Sequence, residues 1–253
     1  MQLKQHVGHY WERHPCGTGI EIVGQTVPES KAWFEQIEEH RYRTEPFIHS
    51  VAQFTRYHGK RVLEVGVGAG TDFLQWARAG SACVGIDLTE AAVRLTRRRL
   101  CLYGFSAPLL RADVEGLPFA DETFDLVYSW GVLHHSEDPQ RAVNEIWRIL
   151  KPNGVFRGMM YHRRSLVALK LWLRHALLAG RPWRGLADVI ANHMESPGTK
   201  AYTLGELRSM FGNFRSCRLW PILTPHDIRP FPQWLAGWLP SGWGWFVAIT
   251  AER

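Results

Sequence analysis

Arg61-Val62-Leu63-Glu64-Val65-Gly66-Val67-Gly68-Ala69-Gly70 is the stretch on which the fold turns. A short apolar and β-branched run ends in three alternating glycines, and a helical pattern begins at Thr71. That grammar describes a strand turning sharply into a helix at the edge of a nucleotide pocket. Glycine suits such a turn because it adopts positive φ freely, and because a Cβ would hold the backbone away from a ligand. A glycine-rich turn alone is a weak sign, so the weight falls on its surroundings.

Downstream the rhythm is regular. Val62 to Val65 reads as a strand and Thr71 to Ala79 as a helix stopped by Gly80. Ala82 to Asp87 is a second strand, after which Thr89 caps a helix running to Leu102, with Glu90 in its first turn. Leu109 to Ala112 and Phe124 to Trp130 are the third and fourth strands. Asp138-Pro139 opens a helix with the apolar face Ala142, Ile146, Ile149 and Leu150, and Val155 to Met160 is the fifth strand. Strands alternating with helices predict a parallel sheet with right-handed crossovers. Phe214 to Leu223 and Trp245 to Ala251 bring the count to seven, separated by a proline- and tryptophan-rich loop.

Two regions stand outside this rhythm. Residues 1–58 lack a strand signal: His9 to Trp11 and His14 to Thr18 sit in polar, turn-prone surroundings, and Lys31 to Tyr57 reads as helical, broken at Pro46. They are expected to form a helical cap or lid over a core spanning 59–253. Residues 161–200 read as a substrate-covering insertion, with an apolar helix from Ser165 to Ala179 carrying Lys170 and Arg174 and a basic-aromatic turn at Arg181-Pro182-Trp183-Arg184. Thr203-Leu204-Gly205-Glu206 has capping-box spacing.

Composition bounds the reading. With 253 residues, 45% hydrophobic and 21% charged, the chain has the balance of a globular α/β protein. No segment approaches the ~20 apolar residues of a membrane span, and the N-terminal residues lack the apolar core of a signal peptide. The four scattered cysteines form no CxxC pair, which points to reduced thiols, no metal site and a cytoplasmic location. Eight of the 12 tryptophans lie after residue 140, as expected of an aromatic-lined pocket, an apolar partner surface or ordinary core packing.

The turn departs from the dinucleotide fingerprint, which wants glycine where Thr71 stands and an apolar residue where Glu64 stands. Asp87 closes the second strand about 20 residues after the glycine loop, where a carboxylate meets ribose hydroxyls. Asp113 follows the third strand, and the fourth runs into His134-His135 at the same edge of the sheet.

Together, Val-Leu-Glu-Val-Gly-Val-Gly-Ala-Gly (62–70), Gly-Ile-Asp-Leu-Thr (85–89), Ala-Asp-Val-Glu-Gly-Leu-Pro-Phe (112–119), Phe-Asp-Leu-Val-Tyr-Ser-Trp-Gly-Val-Leu-His-His (124–135) and Arg-Ile-Leu-Lys-Pro-Asn-Gly (148–154) closely resemble the class I S-adenosylmethionine-dependent methyltransferases, in the small-molecule subgroup. The resemblance covers roughly residues 60 to 160. It implies a Rossmann-like, seven-stranded, mostly parallel sheet with flanking helices, elaborated by the N-terminal cap and the lid after strand five. It further implies S-adenosylmethionine as cofactor and S-adenosylhomocysteine as product. Glu64, Gly66, Gly68 and Gly70 would surround the methionine part, Asp87 the ribose, and Leu88 the adenine face. Asp113 and the Val114 amide would meet the adenine edge. Ser129 and Trp130 would lie beneath the sulfonium, and Tyr10 and Trp11 could close over the cofactor as an aromatic lid.

Methyl transfer to a small, partly apolar acceptor is the expected activity, with O-methylation first and N- or C-methylation as alternatives. Alignment of nucleophile and methyl can supply ~7–11 kcal/mol of the barrier, and a positioned base adds ~10²–10⁴-fold only where the nucleophile has a proton to lose. His135, then His134, is the base candidate, with Tyr161 and His162 behind. Arg163, Arg164, Arg181 and Arg184 could engage an anionic group on the acceptor, or form a solvated basic face. The apolar helix could instead lie on a membrane surface as a peripheral contact. A non-catalytic cofactor-binding relative is the alternative reading. An RNA methyltransferase is disfavoured, because Arg97-Arg98-Arg99 point around a helix and not along one face. A nicotinamide oxidoreductase is disfavoured by Glu64 and Thr71.

Overall fold

The computed structural model describes residues 2–229 and 238–253. The middle of the proline- and tryptophan-rich loop, 230–237, lies outside the described residues. The core is a seven-stranded sheet in the order β3-β2-β1-β4-β5-β7-β6. Its strands are β1 (Arg61–Val65), β2 (Ala82–Asp87), β3 (Leu109–Arg111), β4 (Phe124–Trp130), β5 (Leu150–Tyr161), β6 (Ser216–Ile222) and β7 (Phe246–Glu252). Pairing is parallel from β3 through β5, and β7 runs antiparallel to both β5 and β6. The central strands are buried on both faces, which is why β1 and β4 read as nearly continuous apolar runs. Each of the seven strands falls within a few residues of its expected place. β5 begins at Leu150, earlier than the expected Val155, because Leu150 pairs with Phe124 of β4 ahead of an irregularity, and regular pairing resumes at Val155.

Helices α5 (Thr71–Arg78), α6 (Glu90–Leu102) and α7 (Pro139–Ile149) connect the parallel strands. Their caps are the expected ones: the Thr89 hydroxyl accepts from the Ala92 amide at 3.4 Å and the Asp138 carboxylate from the Arg141 amide at 3.0 Å. The Thr203–Glu206 capping box opens α10 (Leu204–Met210). The chain order turns back between β1 and β4, so the crevice at their C-terminal ends is where a ligand site belongs.

The N-terminal residues form α1 (Gln2–Arg13), α2 (Ile20–Val23), α3 (Lys31–Thr44) and α4 (Ile48–Ala52). His9 to Trp11, expected in a turn-prone stretch, lies inside α1; docking against the sheet edge, and not local propensity, holds that helix. The insertion contains α8 (Leu166–Trp172), which passes into one π-helical turn over Leu173–Leu177, and α9 (Leu186–His193), then α10 and α11 (Pro225–Ile228) follow. The single helix expected from Ser165 to Ala179 is therefore two geometries. The Leu178 amide bonding to the Leu173 carbonyl at 2.9 Å is the five-residue step that widens its last turn. No helix among the described residues is long and apolar enough to cross a membrane.

Candidate functional site

A cavity of about 660 Å³ opens at the C-terminal ends of β1 to β4, a size suited to an extended organic ligand. Its floor is the glycine turn. Gly66, Gly68 and Gly70 have φ of +81°, +52° and +72°, the left-handed region that glycine alone enters without strain. Their roles differ. A Cβ on Gly66 would stand 2.2 Å from Val132 and one on Gly70 3.0 Å from Thr96, so these two permit close packing. A Cβ on Gly68 would meet nothing within 4 Å, and this residue borders the cavity. Gly70 does not line the cavity; Glu64, Gly66 and Gly68 do.

One wall gathers Asp87, Leu88, Asp113 and Val114. The Gly68 amide donates to Asp87 Oδ2 at 3.2 Å, and Thr89 donates to Oδ1 from both its amide (3.0 Å) and its hydroxyl (2.8 Å). Burial pushes the Asp87 carboxyl above the usual carboxylate range, with these bonds opposing the rise. Helix α1 lies across this wall. Lys4 Nζ bridges Asp113 at 2.6 Å and Glu115 at 2.7 Å. A Cβ on Gly8 would stand 3.6 Å from the Leu88 side chain. The Glu12 carboxylate accepts from the Glu90 and Ala91 amides, each at 3.0 Å, where the exposed amides of α6 favour an anion.

Below the turn sits a buried acidic knot. Arg41, from α3, donates to both oxygens of Asp72 at 3.2 and 2.7 Å, and the Tyr42 and Tyr128 hydroxyls donate at 3.0 and 2.9 Å. Burial alone would raise the Asp72 pKa; Arg41 more than offsets it, and the carboxyl is held below its ordinary range. Glu64 takes one bond, from the Trp76 indole at 2.9 Å. Burial first, and the Asp72 charge second, push it well above the usual value. Trp130 faces the cavity and donates from its indole to Glu45 at 2.6 Å, tying β4 to the cap. Ser129 is fully buried, bonds back to the Val65 carbonyl at 3.2 Å and does not line the cavity.

The far end belongs to His135. Its Nδ1 lies 2.8 Å from the Ser196 hydroxyl and 3.2 Å from that of Thr199, and Thr199 spends its own proton on the Ser196 carbonyl at 2.7 Å. Two tautomers satisfy these contacts: with the Ser196 proton turned to Thr199 at 3.3 Å, Nδ1–H donates and Nε2 keeps its lone pair, and with Ser196 donating to Nδ1 the ring proton sits on Nε2. Among the described residues Nε2 has no hydrogen-bond partner; it stands 3.8 Å from the half-exposed Glu195, which accepts from the Tyr161 hydroxyl at 3.1 Å. Burial, assisted by the nearby Lys200 charge, lowers the His135 pKa to about 3, so the ring is neutral at physiological pH. His134 is sealed from solvent, stacks on Tyr161 with centroids 3.8 Å apart and does not reach the cavity. His162 is held by backbone, its Nδ1 3.2 Å from the Gly244 carbonyl, and does not reach it either. Trp11 lines the cavity edge-on to His135 at 5.2 Å, while Tyr10, its neighbour on α1, does not. Met159, Val167, Met194, Trp245 and Phe246 add apolar lining, and His226 joins them on the cavity wall.

Sequence reasoning missed Glu195, Lys4, Glu45 and the Arg41–Asp72 pair. Asp72 carried a signal, a carboxylate in the first turn of the helix after the glycines; the others have none within their own segments. None of Arg163, Arg164, Arg181 and Arg184 lines the cavity, and Arg163 and Arg184 instead pair with Glu206 and Asp188. Arg99 is fully buried, donating to Thr71 at 2.9 Å and Glu38 at 2.5 Å, so the arginine triplet offers no continuous basic face for nucleic acid.

The methyltransferase domain family matches residues 63–157. Over 142 residues the chain is 35% identical to a phthiotriol/phenolphthiotriol dimycocerosates methyltransferase of Mycobacterium ulcerans, covering 55% of this chain and 50% of that protein. Its Mycobacterium tuberculosis counterpart is 36% identical over 110 residues, covering 43% and 40%. The chain thus spans half or less of these relatives' length. Among solved structures it is similar to an S-adenosylmethionine-dependent methyltransferase of Thermotoga maritima (TM-score 0.60, 18% identity, 98% and 99% of the two chains). It is similar also to the magnesium protoporphyrin IX methyltransferase of Synechocystis with bound S-adenosylhomocysteine (0.62, 15%, 99% of each). The [4+2]-cyclase SpnF is equally alike in fold (0.62, 18%, 99% and 96%). At such identities the structural likeness speaks for the fold.

Proposed function

We propose that this chain, which through residues 63–157 belongs to the class I S-adenosylmethionine-dependent methyltransferase family, methylates a lipid-like, partly apolar small molecule, with a hydroxyl as the first choice of acceptor. The observation that carries the proposal is the character of the cavity at the strand ends. Although the chain has a net charge of +6, nine residues lining this cavity are Asp or Glu, against Lys4 and Arg41 as its lysine and arginine. A ligand with a sulfonium and an ammonium suits that lining, and the free space above Gly68 and the part-occupied carboxylates of Asp87 and Asp113 suit an adenosine. The bound cofactor supplies an activated methyl group.

The chain's own residues align, enclose and accept a proton. Trp130 and the glycine turn set the floor, and Met159, Val167 and Phe246 exclude water from the acceptor end. His135, neutral and in its Nδ1–H tautomer, presents Nε2 as the base for an acceptor O–H, and Tyr161 and Glu195 flank it. Alignment remains the larger contribution. The relatives' names, with their dimycocerosates, support an apolar acceptor.

The test is calorimetric titration of the protein with S-adenosylhomocysteine beside NAD, followed by a methyl-donor turnover screen over hydroxylated long-chain acceptors. Micromolar binding of the first alone, with turnover, is expected. Preference for NAD would overturn the cofactor reading. Cofactor binding without turnover on any acceptor would favour a non-methylating role, a real contrast given a cyclase on the same fold.

A further inference from the structure

The side of the lid that faces away from the cavity is as apolar as the side that faces it. On α8 and its π-helical turn, Ala168 and Ala176 are buried and Val167 lines the cavity. Leu169, Leu173 and Leu177, spaced four apart and hence on one face, are 48%, 37% and 45% exposed. The turn that follows adds Leu178 at 81% and Trp183 at 77%. A soluble surface scatters such residues singly; here five fall within fifteen positions of one element and its exit.

The charges around them have one sign. From 163 to 187 the sequence holds Arg163, Arg164, Lys170, Arg174, Arg181 and Arg184 and no carboxylate. Arg163 and Arg184 are paired, and Lys170 donates to the carbonyls of the segment 226–229, at 2.5 Å to that of Arg229. Arg164, Arg174 and Arg181 are exposed, and among the described residues no carboxylate pairs with them. An apolar stripe with an exposed tryptophan and long cations at its margin is the pattern of a helix lying in a lipid interface, where leucines enter the acyl boundary and arginines remain at the anionic headgroups. A protein partner of ordinary composition would bring carboxylates but has no need of the unbroken leucine face.

We propose that the face formed by Leu169, Leu173, Leu177, Leu178 and Trp183, flanked by Arg174 and Arg181, docks on an anionic lipid bilayer. Docking on that face leaves the cavity one helix away, on the inner side marked by Val167, from the phase in which an apolar acceptor dissolves. The proposal stands apart from methyl transfer, because adsorption to a bilayer needs neither cofactor nor acceptor.

Co-sedimentation of the full chain with sucrose-loaded vesicles tests it, using phosphatidylcholine alone and phosphatidylcholine mixed with phosphatidylglycerol. The chain is expected to sediment with the mixed vesicles and at least roughly tenfold more weakly with the neutral ones. Leu173→Glu/Leu177→Glu should reduce binding to the mixed vesicles at least roughly tenfold. Arg174→Glu/Arg181→Glu should abolish the preference for the anionic lipid. Circular dichroism and the melting midpoint of each variant, both expected to match the parent, separate lost docking from lost folding. Failure to bind either vesicle, or variants that sediment like the parent, would overturn the proposal. So would a dimer in gel filtration that Leu173→Glu/Leu177→Glu converts to a monomer, since the face would then be covered by a second copy.

Discussion

At the end of the cavity proposed for the nucleoside, the lining groups sit at or within three residues of a strand end: Gly68 after β1, Asp87 closing β2, Asp113 after β3. At the acceptor end Trp11, His135, Tyr161 and Glu195 come from four separate segments, two of them outside the regular strand–helix alternation. The first end is made largely of backbone direction and short side chains, and the parallel sheet itself delivers it. The second is made of long side chains whose meeting depends on how the cap and lid pack. Shared binding chemistry therefore belongs to the sheet, and whatever distinguishes this protein from its relatives belongs to the elements laid over it.

Substitutions on either side sharpen that division. The largest effect is expected from His135→Ala, which removes the lining imidazole that stands beside Glu195: turnover should drop ~10²–10⁴-fold while affinity for S-adenosylhomocysteine is kept. Full activity in steady-state assays would dismiss His135 as a base. Asp87→Ala should do the converse. Loss of a charge-assisted pair of bonds is worth ~1.5–3 kcal/mol, roughly a ten- to hundredfold weaker titration, with the fold retained. Unchanged affinity in the well-folded variant would sink the ribose assignment.

A smaller effect follows from acid. Burial keeps His134 and His135 neutral in the folded chain, His135 with a pKa of about 3 against an ordinary 6.5. The unfolded chain binds protons at these sites below about pH 6.5 and the folded chain does not. Stability is therefore full above that pH and declines as pH falls from 6.5 towards 3. In urea melts, the midpoint should fall between pH 7 and 5 and fall less steeply in His135→Gln. A flat profile in the parent would show that the imidazoles are solvated.

The sheet was legible because its signals are local: a glycine turn, a carboxylate closing β2 and another just after β3, capping residues one helix turn from an apolar stripe. Thr89, Asp138 and Thr203 cap as their spacing implies. What escaped was long-range. Nothing within Gln2–Arg13 announces a helix, since Lys4 and Glu12 find their partners at Asp113 and at the start of α6, far along the chain. The family resemblance implied Ser129 beneath the sulfonium, yet its side chain bonds back to the Val65 carbonyl and does not line the cavity. Tyr10 and Trp11 could not be told apart until the helix phase put Trp11 inward. Glu195 lies in a segment with no periodic pattern, and only packing brings it to Tyr161.

The strapping of α1 over the wall of Asp87, Leu88 and Asp113 bears on time as well as affinity under the proposed function. Lys4 and Glu12 hold that helix by ion pairing at one end and helix capping at the other, with Gly8 over Leu88 between them. A nucleoside bound there, as proposed, would leave only as fast as the strap lifts, so the clock for product release would run separately from the clock for chemistry. Lys4→Ala should shorten the residence of S-adenosylhomocysteine in stopped-flow displacement, and rising salt should quicken the parent's release towards that of the variant. If both release rates ignore salt, the strap is ornament and the nucleoside escapes by another route.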